Sequence, residues 1–140
     1  MSTKRRLSPH DLFSFHMADD PQISPDGTRV AWVRTWMDAD ENRYRANIWI
    51  TDLASGESQA LTHGTNQDTM PRWSPDGKLL AYLAAVPAGD APPGPPPAVT
   101  VVDRGAQLHI LDVESGGVYV MTRLRGGVMA PEWSPDGTQI

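Results

Sequence analysis

One heptapeptide pattern, Pro-x-[Ile/Trp]-Ser-Pro-Asp-Gly, occurs three times in this chain of 140 residues, at Pro21 to Gly27, Pro71 to Gly77 and Pro131 to Gly137. A motif recurring at this interval marks a repeat architecture, in which a single unit cannot bury its own hydrophobic face and must stack on its neighbours. The motif itself is turn chemistry. Proline presets φ for the first turn position, aspartate bonds nearby backbone, and glycine accepts a left-handed conformation. Every one of these aspartates therefore reads as structural.

The repeat is longer than its motif. Thr28-Arg29-Val30-Ala31-Trp32-Val33 follows the first copy and Lys78-Leu79-Leu80-Ala81-Tyr82-Leu83 the second, and both runs carry the apolar, β-branched and aromatic content of strands. Leu79 to Val86 is apolar throughout, which fits a strand buried on both faces. A second shared block runs from Ile48 to Gly56 and again from Leu108 to Gly116, with Asp52 and Asp112 each ending a strand before a Ser-Gly turn. Thr62 and Thr122 then close matching final strands, each eleven residues before Trp73 and Trp133.

The second interval between motifs is ten residues longer than the first. The excess falls in the segment 87–97, where six of eleven residues are proline. Proline has no N–H for a ladder, so this is an inserted loop, and a spacer rather than a polyproline recognition ligand.

Four strands per unit at this spacing predict an all-β, incomplete β-propeller: two four-stranded blades plus the start of a third, preceded by a short N-terminal helix. The expected divisions are a 1–20 segment with the helix, blade 1 at 21–66, blade 2 at 67–126, and a truncated blade 3 at 127–140. The helix is expected from Ser8 to Met17, with Ser8 as N-cap, Pro9 at the first helical position and Asp11 in the first turn. Leu12 and Phe13, with His16, should face the body of the protein. Trp73 and Trp133, with Ile23 in the first copy, should fill the space between blades.

Composition excludes several functions. There is no cysteine, so neither a disulfide framework nor a thiol nucleophile exists. Twelve Lys and Arg against 17 Asp and Glu give a net charge of −5 and no basic face for nucleic acid. The apolar runs are too short to span a membrane. No secretory apolar stretch follows Lys4-Arg5-Arg6, so a cytoplasmic setting is expected.

No residue of the sequence is expected to have a catalytic, cofactor-binding or metal-ligating role. Gly56-Glu57-Ser58-Gln59-Ala60 lacks the second glycine of a nucleophile elbow. Asp38-Ala39-Asp40-Glu41-Asn42 starts like a calcium loop, but Arg43 stands at its glycine position and Trp49 at its closing glutamate. His10 and His16 are six apart, which is no helical metal pair, and His63 and His109 have no partner at catalytic spacing.

The three motifs, the matched third and fourth strands and the opening Leu7-Ser8-Pro9-His10-Asp11-Leu12 together resemble the N-terminal propeller of the prolyl oligopeptidase family of serine peptidases, in its acylaminoacyl-peptidase-like branch. The resemblance covers about Leu7 to Ile140. It implies a two-domain enzyme in which the propeller limits access of peptides to a Ser-Asp-His triad in a C-terminal α/β-hydrolase domain. That domain is absent from these residues, and no triad position maps onto them. The implied partners are the remainder of the same protein and a peptide substrate, and the isolated chain is expected to be inactive. Two other readings stand beside it. TolB-like binding propellers also carry Ser-Pro-Asp-Gly and act as interaction scaffolds, and a short stand-alone product would form a homo-oligomer through exposed blade faces.

Overall fold

The computed structural model describes residues 5–64, 66–85 and 105–140. The proline-rich loop 87–97 lies outside the described residues, as does Val86. The described chain is all-β: β1 (His16–Ile23), β2 (Arg29–Asp38), β3 (Arg43–Asp52), β4 (Ser58–Ala60), β5 (Gln67–Trp73), β6 (Leu79–Ala85), β7 (Gln107–Asp112) and β8 (Val118–Val120).

Two antiparallel meanders carry the repeat. In unit 1, β1 pairs β2, β2 pairs β3 and β3 pairs β4. In unit 2, β5 to β8 repeat the same order. A single parallel bridge, Ala46 to Gln67, joins β3 to β5. The heptapeptide forms the connection between the first and second strands of each unit, so Pro21 and Pro71 sit inside β1 and β5 and not ahead of them.

Each of those strands carries a bulge at its proline, between Asp19 and Gln22 and between Thr69 and Arg72. The residue before the proline takes a left-handed φ every time: Asp20 at 46°, Met70 at 53° and Ala130 at 48°. A bulge adds one residue without a ladder partner and bends the strand. Proline supplies it without stranding an N–H.

The units stack face on face. From unit 1, Ala31 and Ile48 meet Leu80, Tyr82, Ala84 and Leu111 of unit 2, with Trp73 packed against the cluster. Strand pairing explains the grouping, because Leu80 lies opposite Leu111 and Tyr82 opposite His109 on one face of unit 2. The other face, Ala81, Leu83, Leu108 and Ile110, packs against Val128 and Trp133 from the third copy. Strand β6 is therefore covered on both sides, as its unbroken apolar run predicts, and Leu80 has no exposed surface. A fully buried leucine contributes about 1.5–3 kcal/mol relative to an exposed one.

The N-terminal helix is corrected by the structure. Only a 3-10 turn, Pro9–Ser14, forms, and the chain becomes extended at Phe15 (φ −83°, ψ 136°). His16 and Met17 belong to β1, where pairing with Trp36 and Thr35 overrides local helix signals. Leu12 is exposed, and Asp11 is the buried residue of the turn. Its Oδ2 accepts the Ser8 N–H at 2.6 Å, and both of its oxygens accept from the Arg5 guanidinium. That pairing holds the Asp11 carboxyl well below the usual carboxylate range.

The third copy forms its turn, but no strand is assigned between 127 and 140. Among the described residues no ladder pairs with it, so only the turn and the Trp133 anchor appear. Ile23 is also corrected: it is 65% exposed, and among the described residues no further unit packs against it.

Gly27 isolates the conformational part of the turn. Its φ is +71°, and an added Cβ would meet nothing within 4 Å. Gly27→Ala should therefore cost about 1–2 kcal/mol through backbone strain alone. Denaturant unfolding with an unchanged m-value would check this.

Candidate functional site

The motif aspartates form one site built three times. Ser24 donates its hydroxyl to Asp26 Oδ1 at 2.6 Å, Thr28 N donates to the same oxygen at 3.0 Å, and Arg29 N donates to Ser24 Oγ at 3.0 Å. Ser74, Asp76, Lys78 and Leu79 repeat this geometry, and Ser134, Asp136, Thr138 and Gln139 repeat it again. Thr28 and Thr138 add a hydroxyl donor at 2.8 Å that Lys78 lacks. Led by the serine hydroxyl, these donors hold the Asp26 and Asp136 carboxyls at about 2, and Asp76 is lowered by the same kind of bonds. Asp52 and Asp112 accept from Ser55 N and Ser115 N in the β3–β4 and β7–β8 hairpins. These bonds commit the carboxylates to the turns.

The junctions between units hold a further set of polar contacts that residue patterns do not reveal. Trp73 Nε1 donates to the carbonyl of Gln22 at 2.9 Å, and Trp133 Nε1 donates to that of Arg72 at 3.0 Å. Each motif tryptophan is thus pinned to the backbone of the preceding motif. Arg72 crosses back to the Asp20 carboxylate at 2.9 Å, and the Arg29 guanidinium lies 5.1 Å from the Trp73 ring centroid.

Asp68 is the one strongly buried carboxylate at the first junction, 3% exposed. It stands in β5 near Asn47, whose Nδ2 reaches Asp68 Oδ2 at 3.5 Å and the carbonyl of Gly64 at 3.2 Å. Burial raises the Asp68 carboxyl, with the Thr62 and Asn47 bonds opposing. Thr62 also accepts the Ile48 N–H at 2.9 Å, so its hydroxyl is oriented. Tyr82 lies beside His109, with ring centroids 5.3 Å apart; burial, with Asp68 adding to it, pushes the phenol up to about 12, and burial lowers the imidazole. A buried carboxylate in adjacent charged surroundings can mark chemistry. Here its bonds go to the amide and hydroxyl of the facing unit, which is the geometry of an interface plug.

The histidines do not converge. His10 meets Phe13 edge-on, His16 accepts from Arg34 Nε at 3.2 Å, His63 is exposed, and His109 stacks on Tyr82. In the loop that resembles a calcium site, Asp38 Oδ1 accepts from the N–H groups of Asp40 and Glu41, Asp38 Oδ2 faces Arg45, and Glu41 faces Arg43 and Arg45. The carboxylates of Asp38 and Glu41 are thus matched by arginines. Ser58, in the segment nearest to a nucleophile elbow, shares a 2.7 Å hydrogen bond with Thr51 on the β3–β4 sheet.

No protein-family model matches the chain. Among curated proteins it is 37% identical over 137 residues to the uncharacterized peptidase YuxL of Bacillus subtilis, covering 98% of this chain and 19% of that protein. Dipeptidyl-peptidase 5 of Porphyromonas endodontalis is 24% identical over 139 residues, 99% of this chain and 18% of that one. Over nearly its whole length the chain is similar to segments of these peptidases, in keeping with the resemblance to the propeller of prolyl oligopeptidases. It spans about a fifth of the length of the curated relatives it matches. Its fold is that of the Pyrococcus horikoshii acylaminoacyl peptidase (TM-score 0.67, 22% identity, 90% of this chain and 17% of that one). It also matches the β-propeller domain of the Trilobed protease from Pyrococcus furiosus (TM-score 0.64, 24% identity, 88% and 32%). The TolB protein of Alcanivorax borkumensis is 36% identical, over 61 residues that make up 44% of this chain and 13% of that protein. No helix among the described residues is long and apolar enough to cross a membrane.

Proposed function

We propose that this propeller segment is the substrate-gating cover of a serine-type peptidase acting on short peptides or acyl-peptides, with the catalytic α/β-hydrolase domain lying outside these 140 residues. The two meanders are its first two blades and the third motif opens blade 3. The observation that carries the reading is the 37% identity to the YuxL peptidase along 98% of the segment, against TolB matches of 36% and 28% identity along 44% and 65% of it. The architecture is compatible: stacked units pinned by tryptophans form a wall, and the carboxylates and histidines of that wall serve turns and junctions. The work of the segment is to position and restrict, while acyl transfer through an activated serine and an oxyanion hole belongs to the other domain. The absence of cysteine from the segment suits a cytoplasmic setting.

Treating the full-length protein with a fluorophosphonate probe should label one serine beyond residue 140, and the 140-residue segment should take up none. A full-length protein that takes up no probe would favour the scaffold reading that the TolB similarity suggests.

A further inference from the structure

The two units are in register, so the covering of one face can be compared position by position. Unit 2 turns Leu80, Tyr82, Ala84 and Leu111 toward unit 1. Fifty residues earlier on the second strand, and sixty on the third, the matching positions of unit 1 are Val30, Trp32, Arg34 and Thr51. They lie on the face of unit 1 turned away from unit 2, and no other unit covers that face among the described residues. Trp32, Trp36 and Trp49 are only half-buried there, and Ile23, paired with Val30, is 65% exposed.

This face differs in charge from its counterpart: it carries Arg34 where unit 2 has the methyl group of Ala84. Arg34 is held firmly. Its Nε donates to His16 Nδ1 at 3.2 Å, and its guanidinium lies 4.7 Å from the Trp49 ring centroid. Nη1 and Nη2 make no hydrogen bond among the described residues. They open on a groove of about 350 Å³ whose lining, including His16, Trp36, Trp49 and His63, contains no carboxylate. A guanidinium with its terminal amino groups free presents the fork that a carboxylate fills with two parallel bonds.

We infer that this face of unit 1 receives a further four-stranded unit of the same, longer polypeptide, and that this unit brings an aspartate or glutamate carboxylate to Arg34. The inference rests on the propeller reading above. The exposed aromatic and aliphatic surface calls for an apolar cover, and the relatives are about five times the length of this segment. Covering the face takes Arg34 out of water, and a desolvated cation requires a paired anion. The junction between units 1 and 2 has Ala84 at this position, and the buried Asp68 paired with it bonds to Asn47 and Thr62 rather than to a cation, so the demand for an anion is particular to the uncovered face. The charge also selects the partner, since a unit bearing the neutral face of unit 2 leaves Arg34 buried and unpaired.

The test uses the full-length protein with Arg34→Lys and a water-soluble carbodiimide, which condenses an amine with a carboxylate in contact with it. Mass spectrometry should find the lysine introduced at position 34 joined to one acidic residue beyond residue 140, and this peptide pair should vanish in Arg34→Met. Three results would overturn the inference: no cross-link, a cross-link only within residues 5–140, or preferential coupling to an added N-acetyl dipeptide with a free C-terminus, which would make the groove a site for free carboxylates. Fluorophosphonate labelling of the same sample separates the two claims. Serine labelling without the cross-link leaves the peptidase reading standing and removes this one, and the cross-link without labelling does the reverse.

Discussion

Replacing Trp73 with alanine should lower the unfolding free energy by about 3–5 kcal/mol, the range for removing a large aromatic side chain from packed surroundings. Three interactions end together. The ring packs against the cluster of Ala31, Ile48, Leu80 and Leu111, its Nε1 donates to the Gln22 carbonyl at 2.9 Å, and the Arg29 guanidinium lies over its face. Trp73→Phe separates these contributions. It keeps most of the apolar contact and the cation–π partner and loses the indole hydrogen bond, so its cost should be about 1–2 kcal/mol. Arg29→Ala should remove only about 0.5–1 kcal/mol. Urea unfolding of the three variants gives the order, and a Trp73→Phe loss as large as that of Trp73→Ala would mean that the hydrogen bond, not packing, holds the junction.

Why the tryptophan could be read as an inter-unit residue, and its hydrogen bond could not, is a matter of range. Repetition at a fixed interval identifies a residue that each unit needs, and a large aromatic in that position implies burial between units. The acceptor, however, is a backbone carbonyl 51 residues away, freed toward the indole where the chain bulges at Asp20-Pro21. Nothing in local composition marks that bulge except the proline itself. The turns were legible in outline, because Ser-Pro-Asp-Gly acts within five residues: the aspartate bonds nearby backbone and the glycine is left-handed, while the serine hydroxyl that joins Asp26 Oδ1 to Arg29 N emerged from the structure. The strand pattern was legible for the same reason, since β6 is apolar on both faces and the two blocks match.

The helix reading from Ser8 to Met17 failed where local signal met a distant partner. Ser8, Pro9 and Asp11 do start a turn, but His16 and Met17 gain ladder bonds to β2 by leaving it. The candidate site was the least legible. Asp68 belongs to no repeated position, since sixty residues beyond it stands Val128 and fifty before it Ala18, whereas its partner Asn47 recurs as Gln107, whose amide donates to the Leu124 carbonyl as that of Asn47 does to Gly64. A reading based on recurrence passes over residues that occur once, and both the Asp68 plug and Arg34 are of that kind.

Asp68 yields the second large effect, and its sign depends on pH. Its carboxyl is raised by burial, so the folded protein holds this proton more tightly than the unfolded chain. Between the ordinary carboxylate range and the raised value, the folded state binds more protons at Asp68, and stability falls as pH rises through that window before levelling off. The turn aspartates act oppositely. Asp26 and Asp136, lowered to about 2, contribute stability that is present above the ordinary carboxylate range and lost as pH falls toward 2. Asp68→Asn removes the first dependence and retains the second. It can still accept from Thr62 through its amide oxygen, so the variant should match the wild type near pH 4 and exceed it at pH 7, with the gap opening as pH rises. Asp68→Leu should do the reverse at pH 4, costing about 1–3 kcal/mol for each donor it strands at Thr62 and Asn47. Denaturant unfolding at pH 4, 5.5 and 7 resolves the two slopes. A gap between Asp68→Asn and wild type that stays constant across those values would show that Asp68 is ionised to the same extent in the folded and unfolded states, and that the junction tolerates its charge through bonds stronger than the geometry at 3.5 Å from Asn47 can provide.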